Sequence, residues 1–290
     1  MPNSGEHGIV FVTVRSLSSS AGKASGTLPG KPEVSSITSL MHHWNSGGSV
    51  SNEDRLETVV DPIDVFRAQW GTYQKVIREN YMFHREISAA YRTMIDTLPG
   101  PLKVLDLGCG DACQICDILP PGRVTEYSGC DLSRQALDIA RKNLVPFGNR
   151  VRLLCDDMLA VLKEAPDNHF DVACSSYALH HLSFEQKKSF FIECRRTLRD
   201  KGVFILADIM REEDETPADY YDRYIGRMET EWVTLTESEQ SSVQEHIRSC
   251  DYPESPSVLQ SMAHEAGFHR CQQLEKRTWH QAWCYGCVDG

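Results

Sequence analysis

Apolar residues recur at threes and fours from Ile63 through Phe66, Trp70, Tyr73 and Ile77 to Tyr81. That spacing predicts a helix with one apolar face. Asp61 is placed to cap it and Pro62 to fill its first position. The helical arm is expected to run on through Met82-Phe83-His84 to about Leu98, where Pro99-Gly100-Pro101 breaks it. Beyond this point the pattern changes to short apolar runs separated by helical segments: Val104–Leu107, Tyr127–Cys130, Val151–Leu154, Phe170–Cys174 and Gly202–Ala207. Such runs read as strands of a parallel sheet covered on both faces. Ser183-Phe184-Glu185-Gln186 is a capping box that opens a helix to about Leu198. Ser257 and Gln260 are expected to cap another, ended by Gly267, and 268–274 with 279–285 read as a closing pair of strands. The expected fold is α/β, a seven-stranded, mostly parallel, doubly wound sheet.

The polar residues at the strand ends carry the chemistry. The first run ends in Gly108-Cys109-Gly110, with Asp106 just before it. Glycines at such a turn admit positive φ and let a ligand approach backbone, and the following helix presents its N-terminus to the same spot. A nicotinamide-type fingerprint would need a third glycine at position 113, which is Cys113. Asp106 suits a ligand with a positive group better than a pyrophosphate. Asp131 ends the second run, where an acid can hydrogen-bond a ribose diol. Cys155-Asp156-Asp157-Met158 follows the third, and Ser175-Ser176-Tyr177-Ala178-Leu179-His180-His181 the fourth.

The segments VLDLGCGDA, GCDLSRQALDIAR, RLLCDDM and FDVACSSYALHHL resemble the successive motifs of the class I S-adenosylmethionine-dependent methyltransferases, over about Lys103–Asp208 and again near Met262–Phe268. The resemblance implies an antiparallel last strand and S-adenosylmethionine as co-substrate. It implies that Asp106, Gly108, Cys109 and Gly110 sit by the methionine part of that molecule. Asp131 would hold the ribose and Leu132 would pack on adenine. Asp157 would accept from the adenine amino group beside the Met158 backbone N–H, with Asp156 the competing acid. The backbone of Ser175 and Ser176 would approach the methionine end.

Composition bounds the rest. No apolar run approaches the ~18 residues of a membrane span, and the net charge of −11 argues against a general nucleic-acid surface. Of that charge, −9 falls between Arg211 and Val258. It reads as a solvated helical face, as an acidic rim that favours a cationic or amine acceptor, or as a partner surface. Residues 1–50 hold 11 Ser, 7 Gly and 3 Pro, a composition with little to bury. The domain plan is therefore a flexible tail at 1–58, a helical arm at 59–100, a Rossmann-like core at 101–210 and 257–290, and an inserted lid at 211–256. A cytoplasmic location is expected, with organelle import by the basic, serine-rich N-terminus as the alternative. Cys109, Cys130, Cys155 and Cys174 fall at strand ends and read as apolar fillers in a reduced compartment. The pairs Cys113/Cys116 and Cys284/Cys287 would make a zinc site only by meeting in space, and no metal is assigned.

Methyl transfer from a sulfonium needs alignment and exclusion of water. It needs a base only if the acceptor must first lose a proton. Catalytic candidates are His180 and His181 after the fourth strand, Asp208 after the fifth, and Tyr81 and His84, expected to share a face of the arm. Three functions compete: methyl transfer to a small molecule, methyl transfer to RNA or protein, and a non-catalytic cofactor-binding module. The amide-nitrogen motif Asn-Pro-Pro-Tyr is replaced by Ser175-Ser176-Tyr177-Ala178, and the arm and insertion can cover the sheet edge. Both features favour the first.

Overall fold

A computed structural model of the chain describes residues 62–287. The five apolar runs form the strands β1 (Leu102–Leu107), β2 (Val124–Asp131), β3 (Val151–Cys155), β4 (Phe170–Ser176) and β5 (Leu198–Ile209). They pair in parallel. The hairpin β6 (Arg270–Arg277) and β7 (His280–Gly286) completes one sheet of order β3-β2-β1-β4-β5-β7-β6. β7 is antiparallel to both neighbours, as the resemblance implies.

Side chains alternate between the two faces. Val104, Ile205 and Ala207 join one apolar cluster, with Ile87, Tyr91 and Ile95 of the arm. Leu105, Phe204 and Leu206 join the other. There Phe190 and Phe191 of α6 (Phe184–Thr197) pack on Phe204, Phe268 and Tyr285. Centroids as close as 5.4 Å favour tilted and edge-to-face pairs worth ~0.5–1.5 kcal/mol each beyond their burial. The remaining core helices are α3 (Cys113–Ile118), α4 (Arg134–Asn143), α5 (Met158–Glu164) and α9 (Pro256–Glu265). The Ser183–Gln186 capping box forms as expected, and Gly267 leaves α9 with φ +94°.

The structure corrects several boundaries. The arm is two helices, α1 (Pro62–Arg78) and α2 (His84–Thr97). Between them Asn80 and Phe83 take φ of 60° and 58°. The Asn80 side chain accepts the Arg85 N–H at 3.0 Å and donates to Glu86 at 2.8 Å, organising the turn. Asn tolerates the left-handed conformation through such local bonds. α9 begins at Pro256 with Ser255 in the cap position, so Ser257 lies inside it. Cys155 is exposed rather than a core filler. The 211–256 insertion forms α7 (Pro217–Glu231) and α8 (Glu237–Cys250), each with a Thr capping box. Asp61, the tail and its targeting alternative lie outside the described residues. Among the described residues no helix is long and apolar enough to cross a membrane.

Candidate active site

The turn after β1 depends on its glycines. Gly108 has φ +76° and Gly110 φ +53°. A Cβ on Gly108 would fall 2.5 Å from the Ala178 Cβ. The Gly108 and Cys109 N–H groups both donate to the Cys130 carbonyl at 2.9 Å, tying the turn to the end of β2. Gly110 N–H donates to Asp131 Oδ2 at 2.9 Å, and Ser133 N–H to Oδ1 at 2.8 Å. Burial raises the Asp131 pKa, and these two donors oppose it. Asp106 is buried and accepts from the Tyr127 hydroxyl at 2.7 Å. Burial pushes its carboxyl up to about 6, against its bonds from Tyr127 and Cys174. A cationic ligand group beside it would reverse that shift.

Asp106, Gly108 and Gly110 line a cleft of about 780 Å³ with Trp70, Tyr73 and Ser176. The size suits a small-molecule site. The cleft lies at the carboxyl ends of β1 and β4, where strand order reverses, the usual ligand position in such sheets. Leu132 is 56% exposed and so available to stack on a planar group. Asp157 serves as the N-cap of α5, its Oδ1 accepting from Leu159 and Ala160 N–H at 2.9 and 3.1 Å. That leaves Oδ2 for another partner. Asp156 is exposed, and Met158 reaches back to within 3.8 Å of the position a Gly108 Cβ would take. Ser175 is fully buried: its hydroxyl donates to the Leu107 carbonyl at 2.8 Å and its own carbonyl accepts from Tyr91 at 3.0 Å. Ser176, one residue nearer the strand end, lines the cleft.

A second cavity, of about 200 Å³, shares Tyr73 with the cleft and is bounded by Met82, Tyr177, His180, Trp232 and Asp251. Tyr177 leaves β4 with φ +53° and donates through its hydroxyl to the Met82 carbonyl. His84 lies between Tyr73 and Tyr177, with ring centroids at 6.1 and 4.8 Å. Neither of its ring nitrogens has a hydrogen-bond partner, and burial lowers its pKa to about 4. Tyr81 does not share its face. The turn at Asn80 sends Tyr81 to the insertion, where it stacks on Trp232 at 5.3 Å and 7° and pairs with Thr234 at 3.0 Å. It lines neither cavity. Lys75 and Glu239 form an ion pair at 2.6 Å that also joins arm to insertion.

His180 is held by Asp208 at both ends: its backbone N–H donates to Oδ2 at 2.8 Å, and its Nδ1 meets Oδ1. Burial lowers the His180 pKa, but the carboxylates of Asp208 and Asp251 outweigh it and the net shift is upward. His181 is half-exposed, with Nδ1 3.3 Å from Asp251. Sequence reasoning missed Asp251 and His246. Both sit in the acidic insertion, and only folding distinguishes them from its other polar groups. Most acids there cap or pair: Asp219 and Glu239 close capping boxes, Glu215 meets Arg223 and Trp279, and Glu254 meets Lys187 and Arg211. Of that segment's acids, Asp251 alone lines the cavity among the described residues, so the acidic rim is mainly a helix-capping and pairing feature.

A family model for a methyltransferase domain matches residues 104–202. A phosphoethanolamine N-methyltransferase of Plasmodium falciparum is 27% identical over 166 residues, 57% of this chain and 61% of the relative. Spermidine synthase 1 of Pisum sativum is 27% identical over 62% of this chain and 61% of its own length. The chain thus spans about three fifths of these relatives. The CurJ carbon methyltransferase shares the fold, with a TM-score of 0.56 at 15% identity over 81% of this chain and 63% of that one. Residues 104–202 thus match a methyltransferase domain, and they carry the glycine turn and most of the parallel strands of this sheet.

Proposed function

We propose that the chain transfers the methyl group of S-adenosylmethionine to a small amine acceptor held in the cavity beside Tyr73. The observation that carries this reading is the pairing of the two cavities: a cleft at the glycine turn and a smaller aromatic cavity that share Tyr73. The co-substrate supplies both methyl group and leaving group. The chain's residues bind, orient and exclude water. In this reading Asp131 holds the ribose diol, Asp106 the ammonium of the methionine part, Leu132 packs on adenine, and Asp156 or the second oxygen of Asp157 accepts from its amino group. Tyr73, Tyr177 and Trp232 give the acceptor cavity aromatic walls, which suit an amine or its methylated cation. The names of the relatives, phosphoethanolamine methyltransferase and spermidine synthase, support an amine class.

Methyl-labelled co-substrate incubated with a fractionated metabolite extract tests the reading. The expected result is label in one small product, identified by mass, with S-adenosylhomocysteine formed in equal amount. Absence of product would refute it. The aminopropyltransferase relatives support a second reading, aminopropyl transfer, which would instead release methylthioadenosine from the decarboxylated co-substrate.

A further inference from the structure

Three imidazoles surround one carboxylate oxygen where the insertion meets the sheet edge. Asp251 Oδ1 is buried and accepts no hydrogen bond. Around it stand His181 Nδ1 at 3.3 Å, His246 Nε2 at 3.5 Å and His180 Nε2 at 3.6 Å. The donor atoms of His180, His181 and Asp251 all lie within 4.8 Å of one another. Zinc takes N and O ligands at ~2.0–2.2 Å in a tetrahedron, whose ligand-to-ligand edges are therefore ~3.3–3.6 Å. The three separations from Asp251 Oδ1 have that length, and His246 stands beside the compact group of three.

The surroundings match as well. A metal-bound histidine commonly gives its other ring nitrogen to a carboxylate, which fixes tautomer and orientation. Asp208 does this to His180 Nδ1 and leaves Nε2 aimed at Asp251. Asp251 is held in place by its neighbours: Tyr252 N–H donates to the His180 carbonyl at 2.8 Å, and Tyr221 donates to the Asp251 carbonyl at 2.6 Å. His181, half-exposed, opens the cluster to solvent and gives an ion a route in. Its Nδ1 also lies 3.2 Å from the Cys250 carbonyl, a contact that coordination would replace.

We propose that His180, His181, Asp251 and His246 bind a zinc-class divalent cation that fastens the α7–α8 insertion to the turn after β4. Two ligands come from each side of that junction. The site does not rest on the methyl-transfer reading, because metal binding is measured without either substrate.

The full chain, stripped with a chelator, is titrated with Zn²⁺ against a chromophoric competitor. One equivalent should bind and raise the thermal midpoint. His181→Ala, at a half-exposed position, should keep the fold and lower Zn²⁺ affinity by at least about tenfold. Asp208→Asn, which retains all four ligands, should lower it by ~10–100-fold, as loss of an outer-shell partner does. The Co²⁺-loaded chain should show tetrahedral ligand-field absorption without a thiolate charge-transfer band. No stoichiometric binding, equal affinity in His181→Ala, or a thiolate band that places the metal on the cysteines would overturn the proposal. Zn²⁺ binding is read with neither co-substrate nor acceptor present, so the two readings fail separately.

Discussion

Replacing Gly108 by alanine separates two costs that the turn combines. Gly108 and Gly110 both have positive φ, at 76° and 53°. An added Cβ meets nothing within 4 Å at Gly110 but falls 2.5 Å from the Ala178 Cβ at Gly108. Gly110→Ala should therefore show only the left-handed backbone cost, about 1–2 kcal/mol. Gly108→Ala should add the overpacking cost of about 1–3 kcal/mol. Its total is then roughly 2–5 kcal/mol, a large part of the stability of an ordinary domain. Urea denaturation of the full chain gives both values. Calorimetric titration with S-adenosylhomocysteine should show the same ranking in affinity, since Ala178 lies between the cleft-facing Ser176 and His180. The double variant Gly108→Ala/Ala178→Gly removes the colliding methyl and should recover the packing part but not the backbone part. Equal stabilities for the two single variants, or no recovery in the double variant, would show that β1 and the turn after β4 do not meet at this point.

Asp131→Ala removes a charged acceptor from the ribose position. At ~1.5–3 kcal/mol for a charged hydrogen bond, co-substrate affinity should fall by at least about tenfold, and unchanged binding in a folded variant would exclude the assignment. His84 and His280 are held neutral by burial, with pKa values lowered to about 4 and about 3 from 6.5. A histidine that charges more readily unfolded than folded costs stability as pH falls below 6.5, and the loss levels off below the folded value. For His84 alone that is on the order of 3 kcal/mol. His84→Leu should therefore flatten the decline in urea midpoint between pH 6.5 and 4, and an unchanged slope would refute the buried neutral state. Tyr81→Ala removes the stack on Trp232, worth about 0.5–1.5 kcal/mol. It should lower turnover more than S-adenosylhomocysteine affinity, with faster hydrogen exchange in α7 and α8. Equal effects on turnover and affinity would separate the insertion from acceptor placement.

The strands, the glycine turn and the acid at the tip of β2 were legible in the sequence because their signals are local. A run of Val, Leu and Ile between turn residues has few ways to be buried. Gly108 and Gly110 mark positive φ because other residues pay for it. The Ser183 capping box is complete within four residues. The break at Asn80 was within reach too, since Asn is a recognised left-handed residue, but the apolar period running past it carried the stronger signal.

Other features were decided only by contact between distant parts of the chain. Tyr91 of α2 meets both serines at the end of β4, its hydroxyl donating to the Ser175 carbonyl and accepting from the Ser176 hydroxyl. Tyr81 turns to Trp232 because the insertion offers an aromatic face there. Asp251 is one of 13 acids between Arg211 and Val258, with no local mark to set it apart. It becomes distinctive when the loop after α8 is hydrogen-bonded to His180 and three imidazoles close around one oxygen. Local periodicity and turn chemistry determine which elements exist. Which buried polar groups meet is a property of packing, set by long-range contacts that a single sequence does not encode position by position.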